Sequence, residues 1–586
     1  MTRRVAFLLL LLVPGSARAL EREAFTITRY QLEAQVDRHA QVLAVTGKLT
    51  LRNTAKTPQK LVTLQVSSSL AWNGIALNGE PLQWLGDNYT SDIDHTGSLS
   101  EAIVTLPQEL APAATVTLDV QYGGTIAQNA TRLTRTGVPA AVAVRNDWDQ
   151  ISDSFTAVRG LGYVVWYPVA IDAVSLSDGS ALFDAIARWK QRHEHSEFNA
   201  QLVVTEPSTP QPLCIAFNLQ GAGCGESREE TTRSGKMREV TGSLQLDSLS
   251  EVVPSFAIAA YVELARPTVD LLYLGDHTSL ARDYALAAEA NDPLLHDWLA
   301  EPHQPARIIE LADPNANPWQ NGAVLFTPLR EAPTATLQQL LLPVQVASRF
   351  HSPHAWIQEG LERFLQAVSV EGRSGRRAAV EYLDQYLAAL VEAEAAAHPK
   401  GTQANAGDSD NTLLNTHDEV LLRGKGSFVF WMLRDMLGAN VMQRTLLDYR
   451  SGADKDPSYF QRLLQTASKH QLEWFFDDWV YRDRGLPEFQ VESAYTRPLL
   501  SSGSETSHSF MTTVTLQNRG RAGAEVPVII QTPSGEKTIR VLVKGGEKAT
   551  GRAELPVAPT KIVVNDGSVP EANTGNNVYD VAPPPP

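Results

Sequence analysis

Glu359, in the run Trp356-Ile357-Gln358-Glu359-Gly360-Leu361, is the carboxylate around which a reactive site could be built, with His351 and His354 just before it. Two histidines and a glutamate are a donor set for catalytic zinc, which takes about three protein ligands and keeps one position open for water. The spacing opposes that chemistry, because residues five apart on a helix lie roughly 140° around the axis from each other, as His354 and Glu359 would. Ser352-Pro353 reads instead as an N-cap and first turn, which makes these histidines residues of a helix start. Arg363, four residues beyond Glu359, stands in the order of an ordinary helix ion pair. His417-Asp418-Glu419 sets an imidazole beside two acids, but adjacent residues diverge, and the reading is a solvated helix start. No G-x-S-x-G elbow or S-x-x-K motif offers serine chemistry.

The elements that must position these residues change character along the chain. From Phe25 to about Arg266 apolar and polar residues alternate with period two in short runs separated by Gly, Asn, Asp and Pro, which predicts a β-sandwich or large open sheet. Beyond that point the period becomes helical, with helices expected near 280–289, 336–350, 355–368, 376–397, 421–437, 440–449, 459–467 and 472–481. Strand-like segments lie at 308–311 and 323–326, and a polar surface loop at 400–410. After Pro487, strands at 510–516, 526–530, 537–543 and 561–565 predict a small immunoglobulin-like sandwich.

The run Trp356-Ile357-Gln358-Glu359-Gly360 resembles the W-L-N-E-G helix of the membrane alanyl aminopeptidase family of zinc peptidases, whose glutamate is a zinc ligand. Gly424-Lys425-Gly426-Ser427 with Trp431-Met432-Leu433-Arg434 is similar to the family's Y-x-K-G helix, and Phe475 to Tyr481 with Gly485-Leu486-Pro487 to the segment closing its peptidase domain. The resemblance extends over nearly the whole chain. It implies a multidomain α+β fold: an N-terminal β-sandwich or saddle domain at 20–265, a thermolysin-like, mostly helical domain at 266–487, an immunoglobulin-like β domain at 488–573, and a Pro-rich tail at 574–586.

Carried over position by position, the resemblance implies a degraded site. The family's H-E-x-x-H falls on Thr336, Leu337 and Leu340, so both histidine ligands and the general base are replaced. The G-A-M-E-N segment falls on Asn321-Gly322-Ala323-Val324-Leu325-Phe326, retaining Gly322 and Ala323 as substrate-binding positions and setting Leu325 where a glutamate would hold an amino terminus. The oxyanion-stabilising tyrosine falls on Arg423, leaving Glu359 as the one retained ligand position. A lone carboxylate does not hold catalytic zinc. Arg423 is therefore expected to pair with Glu359, since a carboxylate in a cleft needs a counter-ion. The expectation is no catalytic residue, no cofactor, and a cleft that binds a peptide or protein segment. The alternatives are an active zinc aminopeptidase with other ligands, His351 and His354 among them, and a structural part of an envelope assembly.

The formal net charge of −16 argues against nucleic acid as partner, since polyanion binding needs a basic surface. Residues 1–19 have the parts of a cleaved signal peptide: Arg3 and Arg4, an apolar run from Val5 to Val13, and Ala17-Arg18-Ala19 as cleavage site. A secreted or periplasmic location follows, and no later stretch reaches the ~20 apolar residues of a membrane span. In such a compartment Cys214 and Cys224, the two cysteines of the chain, are expected to form a disulfide.

Overall fold

In the computed structural model, which describes residues 20–209, 211–219, 224–232, 235–302, 304–397, 412–499 and 509–581, Phe25–Asp37 forms a strand whose burial alternates along its length. Tyr30, Leu32, Ala34 and Val36 point inward while the residues between them meet solvent, so one face of the sheet is core and the other is wet. This strand lies inside an eight-stranded sheet, paired antiparallel with Val42–Asn53 and parallel with Glu197–Pro207. A three-stranded sheet of Gln59–Ser67, Ser98–Leu110 and Trp84–Thr90 contributes Val62, Leu64, Leu99 and Val104 to the same core. A second three-stranded sheet, Cys214–Phe217, Phe256–Ala259 and Thr156–Val158, completes the N-terminal β region and carries the Cys214–Cys224 disulfide.

The N-terminal region is not all β. Ala181–Arg192 is a helix that buries Ala185 and Trp189, four residues apart on one face, and its Asp184 pairs with His417 of the helical region.

A five-stranded sheet follows in the order Tyr261–Ala265, Val269–Leu274, Ala306–Glu310, Val324–Thr327, Trp319–Asn321. The change of sheet therefore falls between Ala259 and Tyr261, a few residues before 266. The central strand Ala306–Glu310 is buried at every residue, as a parallel strand covered on both faces must be. Thr278–Glu289 and Thr334–Arg349 pack on one face through Tyr284, Ala288, Leu337 and Leu341.

The remaining helices surround Ala355–Asp384, whose run breaks at Gly375 (φ +82°), close to the break expected between 368 and 376. The stretch 421–437 divides into a wide π-type turn, Val420–Lys425, and the α-helix Gly426–Leu437. The C-terminal strands form a three-stranded and a four-stranded sheet, packed as a sandwich. They include Phe489–Leu499, Lys548–Leu555 and Val578–Asp580 beyond those expected, the last inside the stretch read as tail. One continuous apolar core joins the helices to this sandwich, from Trp356 and Phe430 through Trp479 to Val526 and Ile562. The expected signal peptide at 1–19, the polar loop at 400–410, and Ala582 with the final prolines at 583–586 lie outside the described residues. No helix among the described residues is long and apolar enough to cross a membrane.

Candidate functional site

The Ala355–Asp384 helix is fixed by its apolar face. Trp356, Ile357, Leu361, Phe364 and Leu365 are buried in the helical core, which turns Gln358, Glu359, Glu362 and Arg363 toward the sheet and the N-terminal domain. At Gly360 this helix meets the next functional segment backbone to backbone. A Cβ on Gly360 would lie 2.8 Å from the carbonyl carbon of Gly426, and one on Gly426 would lie 3.0 Å from the oxygen of Trp356. Only glycine permits that approach. The contact holds the Val420–Lys425 turn against the helix and brings Arg423 to Glu359.

Arg423 Nε donates to Glu359 Oε2 at 2.8 Å, and its Nη1 donates to Glu419 Oε2 at 2.6 Å. The Glu359 and Arg423 side chains are 31% and 35% exposed, so the pair is partly wet. Burial alone would push the Glu359 carboxyl up, but the charge and hydrogen bond of Arg423, reinforced by Arg363 and Lys190, hold it below the ordinary glutamate range. Glu362 is 4% exposed. Burial, and then the charge of Glu359, push its carboxyl up to about 8. Gln358 Nε2 donates to its Oε1 at 2.9 Å, and Gln320 Nε2 lies 3.5 Å from its Oε2. Lys425, next to the glycine contact, is buried between Glu394 and Asp483, which anchors the turn from the other side.

The N-terminal domain closes over this cluster. Lys190 donates to the backbone oxygen of Glu251 at 2.9 Å and lies within electrostatic reach of Glu359. His417 Nδ1 pairs with Asp184 Oδ1 at 3.3 Å on the same overlying helix, and His351 Nε2 pairs with Glu251 Oε1 at 3.1 Å. His354 Nε2 turns the other way, to Asp454 Oδ1 at 3.2 Å, beside the hydrogen-bonded Tyr449 and Ser352 hydroxyls. His351 and His354 therefore face different acids, and neither faces Glu359. His417 is a half-buried bridge between domains, not a solvated helix start. Arg363, the expected rival for Glu359, forms no ion pair with it and donates to Gln366 at 2.9 Å.

Thr336 is exposed on the Thr334–Arg349 helix. Leu337 packs with Leu325 in the core beneath the five-stranded sheet, both 3% exposed, and Leu340 rests against the same cluster. Gly322 (φ +59°) and Ala323 are the turn of the hairpin joining Trp319–Asn321 to Val324–Thr327. Leu325 lies on the inner strand of that hairpin, opposite Gln320 on the edge strand. Directly opposed residues share a face, so Gln320 is the side chain that the sheet edge turns toward Glu362. Sequence reasoning passed over Gln320. The Asn321-Gly322 dipeptide is a turn signal that ends the edge strand at Asn321, and it was the available clue.

Zinc, which the family resemblance implies, does not fit these residues. Glu359 is engaged by a guanidinium, the implied partner positions hold threonine and leucine, and among the described residues no three His, Cys, Asp or Glu side chains converge on one point.

No protein-family model and no curated protein matches the chain. Among solved structures it is similar to crystal structures of an M1 zinc metallopeptidase from Deinococcus radiodurans. A mutant of that enzyme bound to a Tyr-Ser-Ala substrate overlays with a TM-score of 0.45 at 14% identity, covering 78% of this chain and 94% of the other. The mutant without substrate gives 0.45 at 15% identity over 79% and 96%. The enzyme without that mutation gives 0.44 at 15% identity over 78% and 94%.

Proposed function

We propose that this chain is an exported, non-catalytic relative of the zinc aminopeptidases that holds a peptide or protein segment in the cleft between its N-terminal β domain and its helical domain. The observation that carries this reading is the closure of Glu359 and Glu419 on Arg423. A carboxylate committed to a guanidinium is withdrawn from metal ligation, and no hydrolytic water has a base, since the position implied for it is the core residue Leu337. What remains is a domain boundary lined by half-buried polar and charged groups, a common setting for ligand capture.

The test is made on the mature chain from an oxidising compartment. Elemental analysis should find no stoichiometric zinc, aminoacyl amides should not be cleaved with or without added zinc, and unstructured peptides should bind with micromolar or tighter affinity. Chelator-sensitive cleavage would overturn the non-catalytic part of this reading.

A further inference from the structure

A cavity of about 370 Å³ opens on the helical domain and shares no residue with the Glu359 cluster. Gln461 of the Tyr459–Ser468 helix lines one side. Glu473 and Trp474 of the short Glu473–Phe476 helix line the other, with Asp477, Tyr481 and Arg482 from the wide π-type turn Asp477–Tyr481 and its end. Phe475, Phe476, Trp479 and Val480 are buried in the core, which leaves Trp474, Asp477 and Tyr481 on the outer side of the same run. Gln461 is 7% exposed. Its Oε1 accepts from the Tyr481 hydroxyl at 2.6 Å, while its Nε2 donates to no atom among the described residues. A buried amide nitrogen normally has a partner, and the cavity is the side from which one can come. Trp474 is half buried, and its indole N–H is likewise without an acceptor among the described residues. The charged lining groups are engaged with protein instead. Asp477 accepts from Arg482 Nε at 2.8 Å and from Arg484 Nη2 at 2.7 Å, and Glu473 Oε1 accepts from Gln465 Nε2 at 2.7 Å.

We infer that this cavity is a binding site for a neutral carbohydrate, with a pyranose ring seated between Trp474 and Gln461. A pyranose joins an apolar face of C–H groups to a rim of hydroxyls that both donate and accept. The indole supplies a flat apolar body with a polar N–H at its edge. Gln461 supplies an unspent donor, and the Tyr481 oxygen, whose proton goes to Gln461, supplies lone pairs. Burial, and then the charge of Asp456, push the Tyr481 hydroxyl up to about 12, so it holds that proton at neutral pH. An aromatic wall with a few convergent polar groups is the usual make-up of a small-molecule site, and the volume lies within the range of about 300–1,000 Å³ for such sites. The charges argue for a neutral ligand. An anion would meet Glu473 and Asp477 against the one guanidinium of Arg482 in the lining, and a cation would find Asp477 already held by two arginines. No residue of this site enters the peptide-binding reading above, so the two stand or fall separately.

The test titrates the full mature chain with cellobiose, maltose and N,N′-diacetylchitobiose, and with tetramethylammonium chloride and inorganic phosphate as charged probes. The indole N–H resonance of Trp474, assigned by its loss in Trp474→Phe, reports the site in the native protein. At least one disaccharide should move that resonance with a Kd of about 10 mM or tighter. Trp474→Ala and Gln461→Leu should each weaken the binding of that sugar about ten-fold or more, read by saturation-transfer difference signals on the sugar. Thermal denaturation checks that each variant folds, and because the resonance is read on the native chain the test survives a variant that does not. Three sugars that leave the Trp474 resonance unmoved overturn the site. Sugar binding of unchanged strength in folded Trp474→Ala or Gln461→Leu overturns it as well. A response to tetramethylammonium or to phosphate in place of the sugars overturns the carbohydrate class.

Discussion

Gly360 and Gly426 touch through their backbones, and this contact sets the distance between Glu359 and Arg423. A methyl group at either glycine would overlap main-chain atoms that cannot move without shifting a whole helix. Gly360→Ala should therefore destabilise the fold by about 1–3 kcal/mol, the usual cost of overpacking. Gly426→Ala should behave alike, and the double variant should fall short of the sum because both strain one crossing. Urea denaturation of the four proteins measures it. An additive double variant would mean that the helices do not bear on each other at this point.

The ion pair itself should be worth less than the crossing that creates it. Glu359 and Arg423 are each about a third exposed, so solvent screens their attraction. Arg423→Ala is expected to cost about 1 kcal/mol, and a cycle with Glu359→Gln should give a coupling of about 0.5–1 kcal/mol. Raising the salt to 1 M should shrink that coupling. A coupling of several kcal/mol would place the pair in a drier site than its exposure indicates.

Much of this architecture was legible in the sequence, because period two and period 3.6 are imposed by burial on one face. The strand from Phe25 and the helices after Arg266 announced themselves in this way. Ala181–Arg192 did not, since Ala185 and Trp189 are its two buried residues and the pattern around it is that of strands. Lys190 was missed with it. The expectation that Arg423 would meet Glu359 corresponds to the 2.8 Å contact, but Glu419, one turn before Arg423, was read as solvated and shares the same guanidinium. Gln320 was obscured for a different reason. The strand expected at 323–326 left Trp319–Asn321 unassigned, so the edge strand that carries Gln320 went unread. The unity of helices and C-terminal sandwich was also invisible, because no local pattern records which faces meet.

Glu362 should make stability fall with pH. Folded, its carboxyl holds the proton to about 8, owing first to burial and then to the charge of Glu359. The unfolded chain releases that proton near the ordinary glutamate value of about 4.3. Between these values the folded state carries the extra proton, so its stabilisation is complete below the lower value and is lost as pH rises toward 8. Glu419, raised chiefly by burial, acts in the same sense. Glu359 is held low by Arg423 against its burial and acts only at acid pH, where its stabilisation is lost as it protonates. Denaturation from pH 5 to 8.5 should show a decline that is visibly flatter in Glu362→Gln. An unchanged slope would mean that Glu362 is ionised in the folded protein.

Rebuilding the implied metal motif should fail. Thr336→His lies on an exposed surface, but Leu337→Glu places a carboxylate against Leu325 in the core below the sheet, and Leu340→His disturbs the edge of the same cluster. Burying an unpaired carboxyl there costs several kcal/mol unless it takes up a proton. The triple variant should be less stable than the parent and bind no stoichiometric zinc while Arg423 holds Glu359. Equilibrium dialysis against zinc, with the Thr336→His, Leu340→His double variant as control, checks this. Stoichiometric zinc in a stable triple variant would show that the helix can turn these positions toward Glu359.

The helical domain should not survive without the C-terminal sandwich. Trp479 Nε1 donates to the Gly523 oxygen at 2.8 Å, and the Gly523 N–H returns a bond to Asp478 at 2.8 Å. Arg376, next to the break at Gly375, donates to Asp435 of the helical domain at 2.9 Å and to Asp566 of the sandwich at 3.0 Å. Around these bonds Phe475, Trp479 and Val480 share one core with Val526, Val528 and Ile562. A chain ending at residue 487 would expose that surface, including the indole of Trp479, whose N–H would lose its acceptor. It should be recovered as aggregates or as a species that binds a hydrophobic dye, although the boundary falls at a proline. The full mature chain should unfold the helical and C-terminal parts in a single calorimetric transition. A soluble, monomeric, cooperatively folding chain ending at 487 would mean that this interface contributes little, and that the two parts are independent domains.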